Sequence, residues 1–525
     1  MEEMLRELDE LRTEQEKLKK KVSELQLLVK YYEERERLSL QKRFGSSSEK
    51  TEDPGQHLLG FDEAEVEAKP KESEPSVEEI TYRRRRRSGT GQDDLSALPV
   101  ETITHAIPEE ERICPSCGGA MHVMGHETRR ELEIVPAQVK ILEHVREVCS
   151  CRNCERTGTS VPITKASMPE PVIKGSAASA SFVAYIMIQK YMNAMPLYRQ
   201  EQAFLQNGFI LSRQTMANWL LRCSMDWLEP LYELMRRQLL AEAVLHADET
   251  VLQVLREPGR ASRNQSYMWL YCTGVESEFQ IVLYEYQETR SSSHPKRFLA
   301  GFSGFLHADG YSAYHRLSEK ILVVGCWAHV RRKFDEALKS APPDGRADSA
   351  SQKGLDFCNE LFALEKQYED LTPEKRHQER LKRSKPLSDD FFRWCKESNA
   401  LPKSLLGKAV HYALEQRAYL ENVYLDGRLE LSNNRAERSI KPFVIGRKNW
   451  LFSCTPKGAK ASSVIYSLIE TAKANGLKPF EYLRHILETM PNNPPETYPN
   501  LLPWSDSLPE SCRLTSKPDT APDTA

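Results

Sequence analysis

Leu-His-Ala-Asp occurs twice in this chain, at residues 245–248 and again at 306–309, each time closing a short apolar run that reads as a β-strand. Two strands that each deliver a carboxylate, Asp248 and Asp309, can share divalent cations. A third acid is needed to hold two magnesium ions, with Mn2+ as the substitute, and it should come from a helix packed beside those strands. Glu437 is that candidate, with Ser432 or Asn433 placed to cap a short helix ahead of it. Residues 434–460 hold seven bases (Arg435, Arg438, Lys441, Arg447, Lys448, Lys457, Lys460) and one acid, Glu437. Surface solubility does not explain a lone carboxylate in so basic a segment. Beside phosphates it makes sense: the bases bind a strand backbone, and Trp450 or Phe452 stacks on a displaced base. Glu249 and Asp426 are rival acids, but Glu249 points to the strand face opposite Asp248 and Asp426 lies in a glycine turn. His246 and His307 precede the aspartates by two residues and share their face, open to plain packing or to proton transfer.

A second chemistry is written in cysteines. Cys114 and Cys117, then Cys151 and Cys154, make two Cys-x2-Cys knuckles, the spacing of a structural zinc ribbon in which each knuckle offers two thiolates to one tetrahedral ion. Unmetallated core cysteines are the other reading, and Cys149 is a spare thiol that competes for the fourth place. Between the knuckles, residues 131–135 and 139–142 alternate like two strands of an inserted hairpin. Cys326 and His329 are a single pair with no partner cysteines nearby and read as structural or DNA-facing. Scattered thiols such as Cys223, Cys358 and Cys395 read as core or surface residues.

The elements that must position the acids follow from periodicity. Apolar runs at 243–248, 267–272 and 279–286 read as a three-stranded meander, a helical stretch surrounds 295–299, and further strands fall at 304–309 and 321–325. That is the ribonuclease H order, in which the first and fourth strands lie side by side, so Asp248 and Asp309 are expected to meet. Asp309 and Glu437 are 128 residues apart, so a helical insertion is expected between them. It begins with a helix carrying Arg331, Arg332 and Lys333, and continues as amphipathic helices over 350–425. Residues 170–235 also read as helices. Within them a turn at Asn207 and Gly208, then a helix capped by Ser212, follows the helix-turn-helix plan and aims Arg213, Gln214 and Asn218 at a DNA groove; an ordinary helical hairpin has the same pattern.

The rest of the chain frames this core. At 525 residues, 40% hydrophobic and 28% charged, it suits several modules rather than one. Residues 4–37 carry a heptad seam, with Leu8, Gln15, Val22 and Val29 at one position and Leu11, Leu18, Leu25 and Tyr32 at the other, so a coiled-coil homodimer or higher oligomer is expected. Residues 51–80 hold ten acids against Lys69 and Lys71, and lead into five arginines at 83–87, the composition of a disordered linker. The arginine run is open to phosphate contact or to plain solvation. No window approaches 18 uncharged apolar residues, and the start lacks a signal-peptide pattern, so no membrane association and a place in the cytosol are expected.

Taken in order, the motifs resemble those of transposases of the insertion-sequence-66 family. The resemblance is carried by residues 44–50 at the end of the coiled coil, the two cysteine knuckles, residues 190–191 and 197–199, the segment 246–250 and residues 309–311. It continues through 325–334 and 433–438 to Leu501, Leu502, Pro503 and Trp504. It implies a catalytic Asp-Asp-Glu triad of Asp248, Asp309 and Glu437, magnesium-dependent cutting and joining of DNA at element ends, and accessory proteins encoded by the same element. The expected fold class is multidomain α+β. A coiled coil (1–50) and an acidic, Arg-rich linker (51–100) precede a zinc ribbon (101–165) and a helical DNA-binding region (166–238). A ribonuclease H-like α/β core (239–340 and 431–490) then encloses the helical insertion (341–430), and a tail (491–525) follows. DNA contacts are expected from Arg213, Gln214, Asn218, Arg331, Arg332, Lys333, Arg435, Arg438, Lys441, Arg447, Lys448 and Trp450. A catalytically idle DNA-binding remnant and a nuclease that cuts without joining are the alternatives.

Overall fold

The computed structural model describes residues 138–150, 156, 163–340, 346 and 349–514, with most of 11–36. The chain divides into two compact units, residues 52–168 and the remainder. In the smaller unit the described residues hold one short antiparallel ladder, β1 (Val148–Ser150) against β2 (Ile163–Lys165), with Cys149 opposite Thr164. Residues 139–142, expected as a strand, form none. Val139, Ile141 and Leu142 are all exposed. Its expected partner at 131–135, the linker with its five arginines, and Cys114, Cys117, Cys151 and Cys154 lie outside the described residues.

In the larger unit, the described residues between 11 and 36 are helical. The seam side chains Leu11, Leu18, Val22, Leu25, Val29 and Tyr32 are each more than half exposed. Four helices follow further along: α1 (Ala180–Tyr191), α2 (Leu197–Gln206), α3 (Arg213–Cys223) and α4 (Glu229–Leu239). Ser179 caps α1 by accepting from the Phe182 amide, and Ser212 caps α3 by accepting from the Thr215 amide. Between α2 and α3 the chain turns at Gly208, whose φ of 88° favours glycine, and the Phe209 amide reaches back to the Phe204 carbonyl to close the helix end.

The sheet has five strands: β3 (Val244–Gln253), β4 (Gln265–Thr273), β5 (Val282–Gln287), β6 (Gly304–His307) and β7 (Ile321–Val324). Their spatial order is β5-β4-β3-β6-β7, with the first three antiparallel and β6 and β7 parallel to β3. The first and fourth strands of the sheet are therefore neighbours, in a register that pairs His246 with His307. Aromatic and β-branched residues fill β4 and β5 because both sheet faces are covered. A short helix, α5 (Ser293–Phe298), joins β5 to β6 and stacks Phe298 on Tyr271 at 3.8 Å.

After β7 come α6 (Trp327–Ser340), α7 (Ala350–Gln367), α8 (Pro373–Glu379), α9 (Lys385–Glu397) and α10 (Leu405–Leu420). These helices pack a core of their own around Trp327, Phe334, Phe391 and Phe392, which meets the sheet at Val244 and Val324. The chain then returns to the sheet as α11 (Asn434–Trp450), α12 (Pro456–Ala474) and α13 (Pro479–Thr489). Helix α12 covers the edge of β5 with hydroxyls: Ser467 accepts from the Tyr284 amide, and Thr471 bonds both the amide and the carbonyl of Val282. An edge strand's unpaired backbone groups are thus satisfied by a helix, and no template for further strand pairing is left there. No helix among the described residues is long and apolar enough to cross a membrane.

Candidate active site

Strand alternation and register divide the residues of the sheet between two faces. His246 and Asp248 on β3 lie opposite Cys272 and Leu270 on β4, and Leu270 lies opposite Tyr284 on β5. This is the α11 face, since the Tyr284 hydroxyl donates to the Ser439 carbonyl in that helix. Glu249, opposite Trp269, belongs to the other face, where Trp269 meets the edge of Tyr314.

On the α11 face two residues of the repeat form a buried scaffold. His246 and His307 are completely buried and stacked at 4.3 Å between ring centroids. His246 Nδ1 lies 3.0 Å from Asn433 Oδ1 and its Nε2 lies 3.1 Å from Glu430, while His307 Nε2 accepts the Glu430 amide at 3.2 Å. Asn433 donates its side-chain amide to the Ala247 carbonyl at 2.9 Å, and its backbone amide to Cys326 Sγ at 3.1 Å. Burial works against the Glu430 charge, but the His246 charge and hydrogen bond outweigh it and hold the carboxyl at about 2. These bonds fix residues 430–433, the entry to α11. Asn433 occupies the expected N-cap position, yet its side chain makes no cap bond because His246 and Ala247 engage it. The helix is also longer than the short one expected, running 17 residues through Pro442.

Three carboxylates lie beyond this scaffold, near enough for the charges of Asp309 and Glu437 to act on Asp248. Asp248 follows His246 on β3, Asp309 stands just past the end of β6, and Glu437 sits in the first turn of α11. Asp248 accepts the Glu249 amide at 2.8 Å and Asp309 accepts the Tyr311 amide at 2.9 Å. Among the described residues no basic side chain forms an ion pair with either aspartate. Burial, then the charges of Glu249, Asp309 and Glu437, push the Asp248 carboxyl well above the usual carboxylate range. The rival acids are neutralised elsewhere: Glu249 is held by Arg290 and the Tyr314 hydroxyl, and Asp426 by Arg428.

Around Glu437 the structure gathers residues that the sequence did not connect to it. Arg332 lies 3.4 Å from its Oε2 and His329 lies 3.6 Å from its Oε1. Cys326, His329 and Glu437 each place a ligand atom within 4.8 Å of the others, so Cys326 and His329 have a third partner that spacing alone concealed. Burial lowers the His329 imidazole, but the Cys326 sulfur, Glu437 and Asp309 outweigh it and bring it up to about 9.

The expected DNA contacts separate into two groups. Arg213, Gln214, Asn218, Arg438 and Lys448 are exposed, Lys441 and Trp450 half-buried. Five more are turned toward partners within the protein. Arg435 reaches the Thr273 carbonyl and Gln280, and Arg447 is buried and reaches Thr250 and the Val251 carbonyl, so both pin α11 to the sheet. Arg331 bonds Asn359, Lys333 lies over Tyr412, and Arg332 faces Glu437. Trp450 packs edge-on to Tyr191 and fits against Gly446, where a Cβ would collide with its ring. The exposed apolar residues at this end are instead Leu451 and Phe452; Leu451 ends the helix in the left-handed region, at a φ of 68°.

Comparison with known proteins places these elements. Residues 175–461 match the family described as Transposase IS66 family, and 111–155 match the zinc-finger binding domain of transposase IS66. Residues 467–504 match the IS66 C-terminal element, and 31–103 a family described as Transposase C of IS166 homeodomain. Two proteins of Sinorhizobium fredii (strain NBRC 101917 / NGR234) are 31% identical to the chain. The uncharacterized protein y4qI aligns over 78% of this chain and 76% of its own length, and the uncharacterized protein y4jD over 76% and 79%. A third from the same organism, y4hP, is 28% identical over 76% of this chain and 74% of its own length. With transposase, zinc-finger and leucine-zipper-like segments matched in order along its length, the chain belongs to the IS66 transposase family.

Proposed function

We propose that this protein cleaves DNA at insertion-sequence ends and joins the freed strand to target DNA, using Asp248, Asp309 and Glu437 on a ribonuclease H-like core. The observation that carries this reading is that Asp309 at the end of β6 and Glu437 in α11 act by their charges on Asp248 in β3, with neither aspartate ion-paired to a base among the described residues. An all-oxygen donor set whose members repel one another suits hard divalent cations, magnesium first and manganese as substitute. Such ions would supply Lewis acidity to activate water or a DNA 3′-hydroxyl and to stabilise the leaving oxygen. The chain's own contribution is placement. The His246, His307, Glu430 and Asn433 network holds the start of α11, and through it Glu437, against the strand that carries Asp248.

Residues 239–340 and 431–490 form the catalytic core in this reading, and 341–430 its helical insertion. Arg213, Gln214 and Asn218 on α3 serve as one DNA contact, and Arg438, Lys441 and Lys448 along α11 as another. Cys114, Cys117, Cys151 and Cys154 hold one structural zinc ion within the matched zinc-finger segment. The exposed seam of the N-terminal helix pairs two or more copies, with proteins of the same element as further partners.

The test is an assay with a labelled element-end oligonucleotide, a target plasmid and magnesium. Joined product is expected from the native chain. Asp248→Ala and Glu437→Gln should lose cleavage and joining by about 10³-fold or more while still shifting the oligonucleotide. Cut product without joining would make the protein a nuclease, and a shifted complex with neither product would make it an idle DNA-binding protein.

A further inference from the structure

We propose that Cys326, His329 and Glu437 form a separate site for a thiophilic divalent cation, Zn2+ by preference, beside the carboxylate trio and sharing Glu437 with it. Sulfur, imidazole and carboxylate together are a borderline-soft donor set that suits zinc or cobalt, whereas magnesium avoids sulfur. Their ligand atoms already lie within 4.8 Å of one another. Bond lengths of about 2.0–2.3 Å around a tetrahedral ion put ligand atoms roughly 3.3–3.8 Å apart, so rotation of the Glu437 side chain by about an ångström closes the set.

Several further features fit an ion here better than a plain hydrogen-bond cluster. Glu437 Oε1 is buried with no hydrogen-bond partner and faces His329 Nε2, and coordination relieves that costly state at the carboxylate. Cys326 is 2% exposed and its sulfur already accepts the Asn433 amide, the kind of outer contact that orients a metal-bound thiolate. Cys326 precedes α6 and His329 lies in its first turn, so one helix start carries both groups. Arg332 faces Oε2 of Glu437 and leaves Oε1 on the imidazole side. Three protein ligands leave a fourth position for water or a phosphate oxygen.

The consequence for activity rests on the proposed role of Glu437: a thiophilic ion bound here draws its carboxylate toward Cys326 and inhibits magnesium-supported cleavage. Binding itself does not depend on that role. The experiment uses the full-length protein, loaded with zinc at its zinc-finger segment, freed of excess metal, and titrated with Co2+. A thiolate-to-cobalt charge-transfer band that saturates at about one added equivalent is expected in the native chain. It should be absent in Cys326→Ser and need at least about tenfold more cobalt in His329→Gln, which keeps the sulfur and serves should the serine variant misfold. Asp248→Ala should keep the band whether or not the catalytic reading holds. No band in the native chain, or an unchanged titration in either Cys326→Ser or His329→Gln, would overturn the site and leave the proposed DNA chemistry standing.

Discussion

Asp248 and Glu249 are consecutive on β3, yet their carboxylates face opposite sides of the sheet and meet opposite surroundings. Glu249 is enclosed by Arg290 and Tyr314, and its partners limit the upward push from burial and Asp309, leaving it at about 7. Asp248 has no basic partner among the described residues; burial and its acidic neighbours, Glu249, Asp309 and Glu437, push its carboxyl well above the usual range. Both residues are half-buried, so burial does not distinguish them. The difference is whether the fold supplies the counter-charge. On one face it does, with an arginine; on the other the described residues bring more negative charge.

The largest expected effect comes from exchanging the two acids for their amides. Asp248→Asn should reduce magnesium-dependent cleavage by about 10³-fold or more, and its metal-free form should melt no lower than the native protein, because a repelled buried charge has been removed. Glu249→Gln should do the reverse. Losing the charge pair with the exposed Arg290 should cost about 1 kcal/mol in denaturant unfolding, since glutamine retains neutral hydrogen bonds to Arg290 and Tyr314. Its magnesium-induced rise in melting temperature should survive, whereas Asp248→Asn should lose most of it. Equal metal responses in the two variants would erase the contrast between the faces.

A smaller effect is expected from the scaffold behind Asp248. Asn433→Ala removes the side chain that joins His246 to the Ala247 carbonyl. The unfolding free energy should fall by about 1–3 kcal/mol for the buried groups left unpaired. Cleavage should fall about 10- to 100-fold, the usual range for residues that orient metal ligands, with oligonucleotide binding unchanged. Cleavage within twofold of the native rate would mean that α11 finds its place without this contact.

The sequence made some of this contrast legible and hid the rest for identifiable reasons. Strand alternation separates Asp248 from Glu249, and the order of strands and helix predicts that the first and fourth strands are neighbours; the observed pairing of His246 with His307 agrees. Ser212 as a helix cap and Gly208 as a turn were readable because their determinants are local. The grouping of Cys326 and His329 with Glu437 was not, since more than a hundred residues separate them and only packing of the inserted helices brings α6 to α11. Charge counting also failed for Arg435 and Arg447: a basic segment does not reveal which guanidinium groups turn inward to backbone carbonyls. Asn433 shows the same limit, because its N-cap position was readable while its preference for His246 and Ala247 depends on the sheet.

The weakest test of the contrast lies on β5, where Glu285 sits opposite Trp269 and so shares the face of Glu249. Burial brings its carboxyl to about 7 against the effect of Gln287, Arg297 and Arg236, and its Oε2 has no hydrogen-bond partner. Its pKa is higher folded than unfolded, so the folded state keeps a proton that the unfolded chain loses between about 4.5 and about 7. Its contribution to stability is therefore full below the lower value and is lost as pH rises through the upper one. Glu285→Gln cannot titrate. Relative to the native protein it should gain up to about 3 kcal/mol between about pH 5 and about pH 8 in denaturant unfolding, with cleavage little changed. A constant difference at both pH values would mean that Glu285 finds solvent or a counter-charge, and that this face leaves no acid short of one.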